Sequence, residues 1–566
     1  MKNSKLIHRI PFFFIAVGLA GLFAGATTAL AVSYPAHPVT RPEINASDIS
    51  ARDKALADDA FKGRWPGAPE GEAAAQWIAD EMKRLGLAPG NRGSYFQEVP
   101  AVNIELDPAK SKLAFDSKSG AVPIRYLDDA VYVTPRYATG TIDVAKSPLV
   151  FVGYGVVAPE YHWDDYSGMD VKGKTVVILI NDPGNEDKSP DPNFFKGKAM
   201  TYYGRWTYKY EEAARHGAAA AIIVHETLPA AYGWEVVRNS WSGAQMLLDA
   251  RDKNGSMVPV QGWITRDVAQ NLFQRAGMNY QAQKQAANRP GFKPVAMAGE
   301  TLSAHLVSRI DHKFSRNVVG VIKGTDHPDD YFFYTAHWDH LGFKPSLAGP
   351  DKIYNGAIDN AMGVASILEI AEAMARSKPK RSVAFISYTQ EEQGLLGSQY
   401  FAAHPLWPLN HIVGGINLDG GLPAGPAHDL VLIGNGASEL EIPLAAALKT
   451  QKRVISPDPE PEKGSFYRSD HISLAKVGVP MLDPGGGYDL VTGGKKAGQA
   501  VRDDYRQHRY HAPSDEWQGD WDLSGVVENM NVLRQVGETV ANSSTWPNWY
   551  KGNEFRAIRD RQMKAQ

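Results

Sequence analysis

Tyr331-Phe332-Phe333-Tyr334-Thr335-Ala336-His337-Trp338-Asp339 is an apolar run that passes directly into a histidine and a carboxylate. The run is short and rich in aromatic side chains, which favours a buried strand. Similar runs, with helical patterns among them, lie at 317–322, 363–374 (helical), 382–387, 412–418, 430–433 and 439–449 (helical). This alternation predicts an α/β fold with a largely parallel mixed sheet flanked by helices.

Polar side chains lie where such a sheet is expected to carry its chemistry, at the carboxyl ends of the strands. Alone, each is ordinary, since a carboxylate before a helix is usually a cap. Together they form a set of ligand-type residues that follow strands or lie in two loops: His337, Asp339, Asp359, Glu391, Glu392, Asp419 and His511. We do not expect seven such residues in these positions to be ordinary solvent-exposed side chains.

Metal-dependent hydrolysis accounts for the set. A borderline cation takes imidazole and carboxylate ligands and keeps one position for water, and two cations about 3.5–4 Å apart need a bridging carboxylate. The adjacent pair Glu391 and Glu392 can divide the tasks of general base and ligand. Asp339, two residues after His337, can orient the imidazole.

The motifs resemble those of the M28 family of metallopeptidases, the two-zinc aminopeptidases. The resemblance covers about 315–545 and the helical pattern near 70–87. It rests on His337-Trp338-Asp339, Gly356-Ala357-Ile358-Asp359-Asn360, Glu391-Glu392-Gln393-Gly394-Leu395-Leu396-Gly397-Ser398, Asn417-Leu418-Asp419 and Tyr510-His511. Their order and spacing together are specific.

The resemblance implies two Zn²⁺ per chain and a role for each residue of the set. One zinc takes His337, Asp359 and Asp419, and the other takes Asp359, Glu392 and His511, so that Asp359 bridges. Glu391 is then the general base, and Asp339 orients His337.

Three neighbours of the set need separate treatment. His471, in Ser469-Asp470-His471, rivals His511 as a ligand, but the resemblance places it in the pocket lining. Trp338 and Tyr467 are candidates for the pocket wall. His340 receives no role.

The implied activity is an exopeptidase that removes N-terminal residues from peptides with a free N-terminus. Three alternatives share the fold. A glutaminyl cyclase-like enzyme would use one zinc, and a receptor-like binding protein would have lost ligands, whereas this sequence keeps the full set. Carboxypeptidases of this type carry a sizeable helical domain after the last zinc histidine, and only 55 residues follow His511.

The chain divides into five predicted segments. They are a signal peptide at 1–31, the first part of the catalytic domain at 32–119, a β-rich insert at 120–305, the catalytic domain at 306–545 and a C-terminal tail at 546–566. Through Phe151-Val152-Gly153-Tyr154-Gly155, the insert resembles a protease-associated domain.

Composition and the N-terminus point to a globular exported protein. Of 566 residues, 43% are hydrophobic and 22% charged, and the net charge of −3 gives no reason to expect a nucleic-acid partner. Lys2, Lys5 and Arg9 precede the apolar run 11–24 and the small-x-small pattern at 29–31, which predicts a cleaved signal peptide and no stable membrane insertion afterwards. The absence of cysteine leaves nitrogen and oxygen as metal ligands. Oligomeric state is not readable from the sequence.

Overall fold

The computed structural model describes residues 34–117, 120–122, 124–185, 191–345, 347 and 349–564. The predicted signal peptide lies outside these residues, so export remains a prediction. Within the described ranges, no helix combines the length and the apolar character needed to cross a membrane.

The strands lie along the whole described chain. In order they are β1 (Ala88–Pro89), β2 (Phe96–Leu106), β3 (Lys112–Ser117), β4 (Gly120–Val122), β5 (Ala130–Val133), β6 (Thr141–Phe151), β7 (Val157–Ala158), β8 (Trp163–Asp164), β9 (Thr175–Leu179), β10 (Ala220–His225), β11 (Ala244–Leu248), β12 (Val260–Thr265), β13 (Val295–Ile322), β14 (His327–His337), β15 (Gly342–Phe343), β16 (Ile353–Tyr354), β17 (Arg381–Tyr388), β18 (Ile412–Asn417), β19 (Asp429–Ile433), β20 (Val454–Pro457) and β21 (Met481–Pro484).

The α-helices alternate with the strands in the second half of the chain. In order they are α1 (Ala46–Leu56), α2 (Pro69–Arg84), α3 (Trp206–Arg215), α4 (Thr227–Ala230), α5 (Trp234–Ser240), α6 (Arg266–Arg275), α7 (Tyr280–Ala287), α8 (Met362–Met374), α9 (Leu396–Ala403), α10 (Glu441–Thr450), α11 (His471–Lys476), α12 (Gly494–His508), α13 (Ser524–Asn542) and α14 (Arg556–Met563).

The first sheet is parallel at its centre. Its strands follow the order β11–β2–β13–β17–β14–β18–β21–β19–β20, and β17, β14, β18 and β21 run parallel to one another. Strands β13 and β19 flank this centre in the antiparallel sense. The predicted α/β class with a mixed sheet is therefore confirmed.

Helices cover the first sheet because their apolar faces need burial. Trp77, Ile78 and Met82 on α2 are fully buried, and Pro69 and acidic residues occupy its first turn while basic residues occupy its last. Helix α8 is apolar nearly all round, as expected for a helix enclosed by other elements. One hydrophobic core joins α1, α2, α8 and α13 to the sheet.

A second sheet occupies the part of the chain predicted to be an insert. Its order is β4–β3–β13–β6–β9–β10–β12–β5, with β6, β9, β10 and β12 parallel. Helices α3–α7 accompany it, since parallel strands need crossover connections. The segment is thus richer in helix than we predicted, a protease-associated domain is not confirmed, and the predicted boundaries remain predictions.

Strand β13 belongs to both sheets. Its first half pairs with β3 and β6, and Ser308–Val318 pair with β2 while Val318–Ile322 pair with β17. The predicted tail also packs on this body, since Trp549 is fully buried and its indole donates to Gly478 O at 2.9 Å.

Candidate metal centre

Three adjacent parallel strands end at one edge of the first sheet. His337 is the last residue of β14, Glu391 and Glu392 follow β17, and Asp419 follows β18. Because β17, β14 and β18 are neighbours, their carboxyl ends bring these side chains together. The edge predicted from the sequence is the one at which the structure gathers them.

The loop before α8 delivers Asp359 to the same edge. Gly356 has a φ of 57°, and a Cβ there would lie 2.2 Å from Asp359 O, so the turn requires glycine. The buried Asp515 carboxylate accepts the backbone N–H groups of Ile358 at 3.1 Å and Asp359 at 3.0 Å. This pairing fixes the direction in which Asp359 points.

A first ligand group forms around His337. Its Nε2 lies 3.2 Å from Asp359 Oδ1 and 3.2 Å from Asp419 Oδ1. Ligand atoms of His337, Glu391 and Asp419 also lie within 4.8 Å of one another. Imidazole and carboxylate therefore converge on one small volume.

A second ligand group forms around Glu392. His511 Nε2 lies 3.1 Å from Glu392 Oε2 and 3.2 Å from Asp359 Oδ2. The two oxygens of Asp359 thus face two different histidines, one in each group. The predicted pair His337 and His511 and the predicted bridge Asp359 are brought together.

His340 joins the second group, although sequence reasoning gave it no role. Its Nδ1 lies 2.5 Å from Glu392 Oε1, and ligand atoms of His340, Asp359 and Glu392 lie within 4.8 Å of one another. The imidazole is fully buried, and its Nε2 has no hydrogen-bond partner among the described residues. Its position directly after His337-Trp338-Asp339 is the feature of the sequence that could have identified it as a candidate ligand.

Asp339 holds the backbone of Glu391 and Glu392 in place. Its carboxylate accepts the backbone N–H of Glu391 at 3.0 Å and of Glu392 at 3.3 Å. His337 Nδ1 lies closer to the Asp339 carbonyl, at 3.2 Å, than to its carboxylate, at 3.9 Å. The expected orientation of His337 by Asp339 is therefore made through the main chain, because the carboxylate is engaged by the turn.

Arg64 was missed by sequence reasoning. Its buried guanidinium donates to Trp338 O at 2.7 Å, Asn355 O at 2.5 Å and Gly356 O at 2.9 Å. One cation thus ties the loop after β14 to the loop that carries Asp359. No local pattern marks it, because the carbonyls lie more than 270 positions away in sequence.

His471 and Trp338 lie apart from the ligand groups. His471 is buried, its Nδ1 is 3.5 Å from Asp483 Oδ2, and burial lowers its pKa to about 4. Trp338 is fully buried and donates to Arg316 O at 2.9 Å, so the expectation that it lines the pocket is wrong: the side chain fills the core. Tyr467 is buried and donates to Glu554 at 2.9 Å.

The electrostatics of the edge fit divalent cations. Burial by itself lowers the pKa of His337, but the carboxylates of Glu391 and Asp419 raise it well above its usual value. Burial raises the pKa of Glu391 well above its usual range, and it raises that of Asp339 to about 7. A surplus of buried carboxylate with nitrogen and oxygen donors is the environment that a cation such as zinc neutralises.

Fold and donor set together define a metallohydrolase-type α/β domain. Residues 317–534 match Peptidase family M28.

Related proteins agree with this assignment over short stretches. The chain is 38% identical over 102 residues to a "Probable zinc metalloprotease" of Pyrenophora teres f. teres, covering 18% of this chain and 22% of the relative. It is 32% identical over 139 residues to "Aminopeptidase NAALADL1" of Mus musculus, covering 23% and 17%. The chain thus spans less than a quarter of the length of these curated relatives.

A solved structure is similar over most of the chain. The aminopeptidase from Aneurinibacillus sp. strain AM-1 aligns with 88% of this chain and 94% of its own, at 20% identity and a TM-score of 0.46.

Proposed function

We propose that this protein is a zinc-dependent aminopeptidase with two zinc ions at the edge of the first sheet. The observation that carries the proposal is the placement of Asp359, whose Oδ1 is 3.2 Å from His337 Nε2 and whose Oδ2 is 3.2 Å from His511 Nε2. A carboxylate that faces two imidazoles with different oxygens is suited to bridge two metals.

The chain's residues divide the work of such a site. His337, Asp359 and Asp419 would hold one zinc, and Asp359, Glu392 and His511 the other. When bound, zinc lowers the pKa of a coordinated water and polarises the scissile carbonyl.

Glu391 is the proposed general base. Its carboxylate lies beside His337 and Asp419, yet it makes no hydrogen bond to another described residue through its side chain. It can therefore take a proton from the attacking water and return it to the departing amine. Asp339, by binding the Glu391 and Glu392 amides, holds the base at that position.

We further propose that the substrates are peptides with a free N-terminus. The edge carries more carboxylates than histidines, so it attracts a protonated amine and disfavours an acylated one. The signal-peptide pattern at 1–31 supports export of the mature chain.

The test is hydrolysis of aminoacyl p-nitroanilides and their N-acetylated counterparts by purified protein, before and after chelation. We expect cleavage that needs the free amine, stops on chelation and returns with Zn²⁺. Zinc-loaded protein that cleaves neither kind, or that removes C-terminal residues from N-acetylated peptides instead, would contradict the proposal.

A further inference from the structure

Glu392 meets a different histidine at each of its two carboxylate oxygens. Its Oε2 lies 3.1 Å from His511 Nε2, whereas its Oε1 lies 2.5 Å from His340 Nδ1. Two donors on one tetrahedral zinc, each bound at about 2.0–2.1 Å, stand about 3.3 Å apart. The His511 contact has the spacing of two ligands around a shared cation. The His340 contact is too short for that arrangement and requires a proton between the two atoms.

The surroundings of the His340 imidazole fix the direction of this hydrogen bond. The ring is fully buried, and its Nε2 has no hydrogen-bond partner in the described part of the chain. A proton on Nε2 alone would leave a buried donor unpaired and would set the lone pair of Nδ1 against the Glu392 carboxylate. A proton on Nδ1 avoids both penalties, so Nδ1 donates and Glu392 Oε1 accepts.

Packing holds the imidazole against Glu392. A Cβ at Gly356 would lie 2.5 Å from His340 Cδ2 and 2.6 Å from His340 Cγ, so the glycine provides the space that the ring occupies. The rings of His340 and His511 meet at an angle of 70°, with centroids 5.8 Å apart. His340 N also donates to Arg64 O at 3.3 Å. The donor is therefore fixed from its backbone and from both sides of its ring.

We propose that His340 is a positioning residue of the metal centre, whose hydrogen bond to Glu392 Oε1 leaves Oε2 as the oxygen that binds the second zinc. The second zinc is here the ion of Asp359, Glu392 and His511, so this inference rests on the proposed function and deepens it. Without the donor, the Glu392 carboxylate would be free to rotate, and its buried Oε1 would lose the partner that the structure gives it. Groups that orient metal ligands contribute about 10–100-fold to metal affinity.

The experiment compares substitutions that keep or remove the donor. In His340→Asn the side-chain amide nitrogen can take the place of Nδ1, whereas His340→Leu offers no donor. His225→Leu is the matched control, because it removes another buried imidazole, which contacts Tyr232 O in the second sheet and belongs to neither ligand group. Competition with a fluorescent chelator measures the dissociation constant of each zinc ion, and circular dichroism checks that the variants are folded.

We expect His340→Leu to raise the dissociation constant of the second zinc about 10–100-fold, and His340→Asn and His225→Leu to stay within about threefold of wild type. In a His511→Gln background, which should keep only the other zinc, adding His340→Leu should leave the remaining dissociation constant unchanged. A change in that background would indicate a general structural role and would overturn the proposal. Equal weakening by His340→Asn and His340→Leu, or none by either, would overturn it as well.

X-ray absorption at the zinc edge separates a hydrogen-bond donor from a ligand. We expect about one imidazole per zinc in both wild type and His340→Asn, supplied by His337 and His511. About one and a half imidazoles per zinc in wild type, falling to one in His340→Asn, would make His340 a ligand and overturn the positioning role.

The proposed function can fail separately. If wild type holds two zinc ions but cleaves no aminoacyl p-nitroanilide, the aminopeptidase proposal fails while the zinc titrations still test His340. If wild type binds fewer than two zinc ions, the two-zinc proposal fails, and ring ¹⁵N NMR of histidine-labelled, metal-free protein tests the hydrogen bond instead, with His340→Asn identifying the signal. A proton on Nδ1 of His340 would support the contact, and a bare Nδ1 would overturn it.

Discussion

The strands of both sheets are followed by acidic side chains, but the two sheets differ in the groups that neutralise those carboxylates. In each, parallel strands run into acidic side chains: Asp419 follows β18 in the first sheet, whereas Asp182 follows β9 and Glu226 follows β10 in the second. In the second sheet, Lys284 Nζ is 2.5 Å and Arg266 Nε is 3.6 Å from Glu226.

Asp182 likewise has internal compensation. Its carboxylate accepts from Thr201 N at 2.8 Å and Thr201 Oγ1 at 2.6 Å, and the charge of the buried Lys209 acts on it. At the edge of the first sheet, the neighbouring groups are histidines and further carboxylates. An acidic strand end is therefore a candidate metal site only where the chain supplies too few cations of its own.

The largest effect on turnover is expected from Glu391 at the metal edge, compared with Glu226 in the second sheet. Glu391→Gln should lower kcat by about 10²–10⁴-fold, because the base is lost, while zinc content by mass spectrometry stays unchanged. Glu226→Gln, the counterpart in the second sheet, should leave kcat within about twofold because its carboxylate pairs with Lys284 and Arg266 and belongs to neither ligand group. Near-normal kcat in Glu391→Gln would break the comparison.

A second pair of variants tests which histidine holds metal. His511→Gln should reduce zinc from about two ions per chain to about one, because Asp359 and Glu392 lose their shared imidazole partner. His471→Gln should retain both, since the His471 imidazole lies beside Asp483 and belongs to neither ligand group. The reverse pattern in metal analysis would transfer the ligand role to His471.

Arg64→Gln tests whether Arg64 supports zinc binding by holding the loops that carry the ligands, without contacting a ligand side chain itself. We expect the zinc dissociation constant to rise about 10–100-fold, as for other residues that orient ligands, with partial recovery in Arg64→Lys. Competition with a fluorescent chelator measures this, and circular dichroism checks that the variants are folded. Unchanged affinity in folded Arg64→Gln would limit Arg64 to a stabilising role.

The smallest effect on turnover is expected in the second sheet. Lys209→Met removes the ammonium that donates to Tyr154 O at 2.6 Å and Asn181 O at 2.8 Å, so the free energy of unfolding should fall by about 3 kcal/mol. Zinc content and kcat should not change. Urea denaturation provides the measurement, and adding Asp182→Asn should recover part of the loss. A drop in zinc content would show that the sheets are electrostatically coupled.

Most of the first sheet follows from local sequence because its strands are short apolar runs. The strand predicted at 382–387 is observed as Arg381–Tyr388, and the helix at 363–374 as Met362–Met374. Ligand candidates were found the same way, since each follows a strand or sits in a recognisable loop. Helices α4, α5 and α7 of the second sheet were missed because they have only 4, 7 and 8 residues.

The residues that escaped prediction act over long sequence distances. Arg64 reaches Trp338 and Gly356 only after the chain has folded, and its one near neighbour among these acceptors, Leu56 O, gives no hint of that contact. His340 was visible beside the motif, but its contact with Glu392 depends on the neighbouring strand. Trp338 was misassigned because the sequence cannot tell which face of the strand end is covered.

Strand β13 makes the two sheets one folding unit. Val295–Val307 complete the hydrogen bonding of one sheet, and Ser308–Ile322 complete that of the other, with no linker between them. Melting either sheet would strip partners from the same continuous backbone, so we expect a single cooperative calorimetric transition despite the two sheets. For the same reason, the second sheet cannot swing on a flexible tether; any movement of it relative to the first sheet must bend this shared strand.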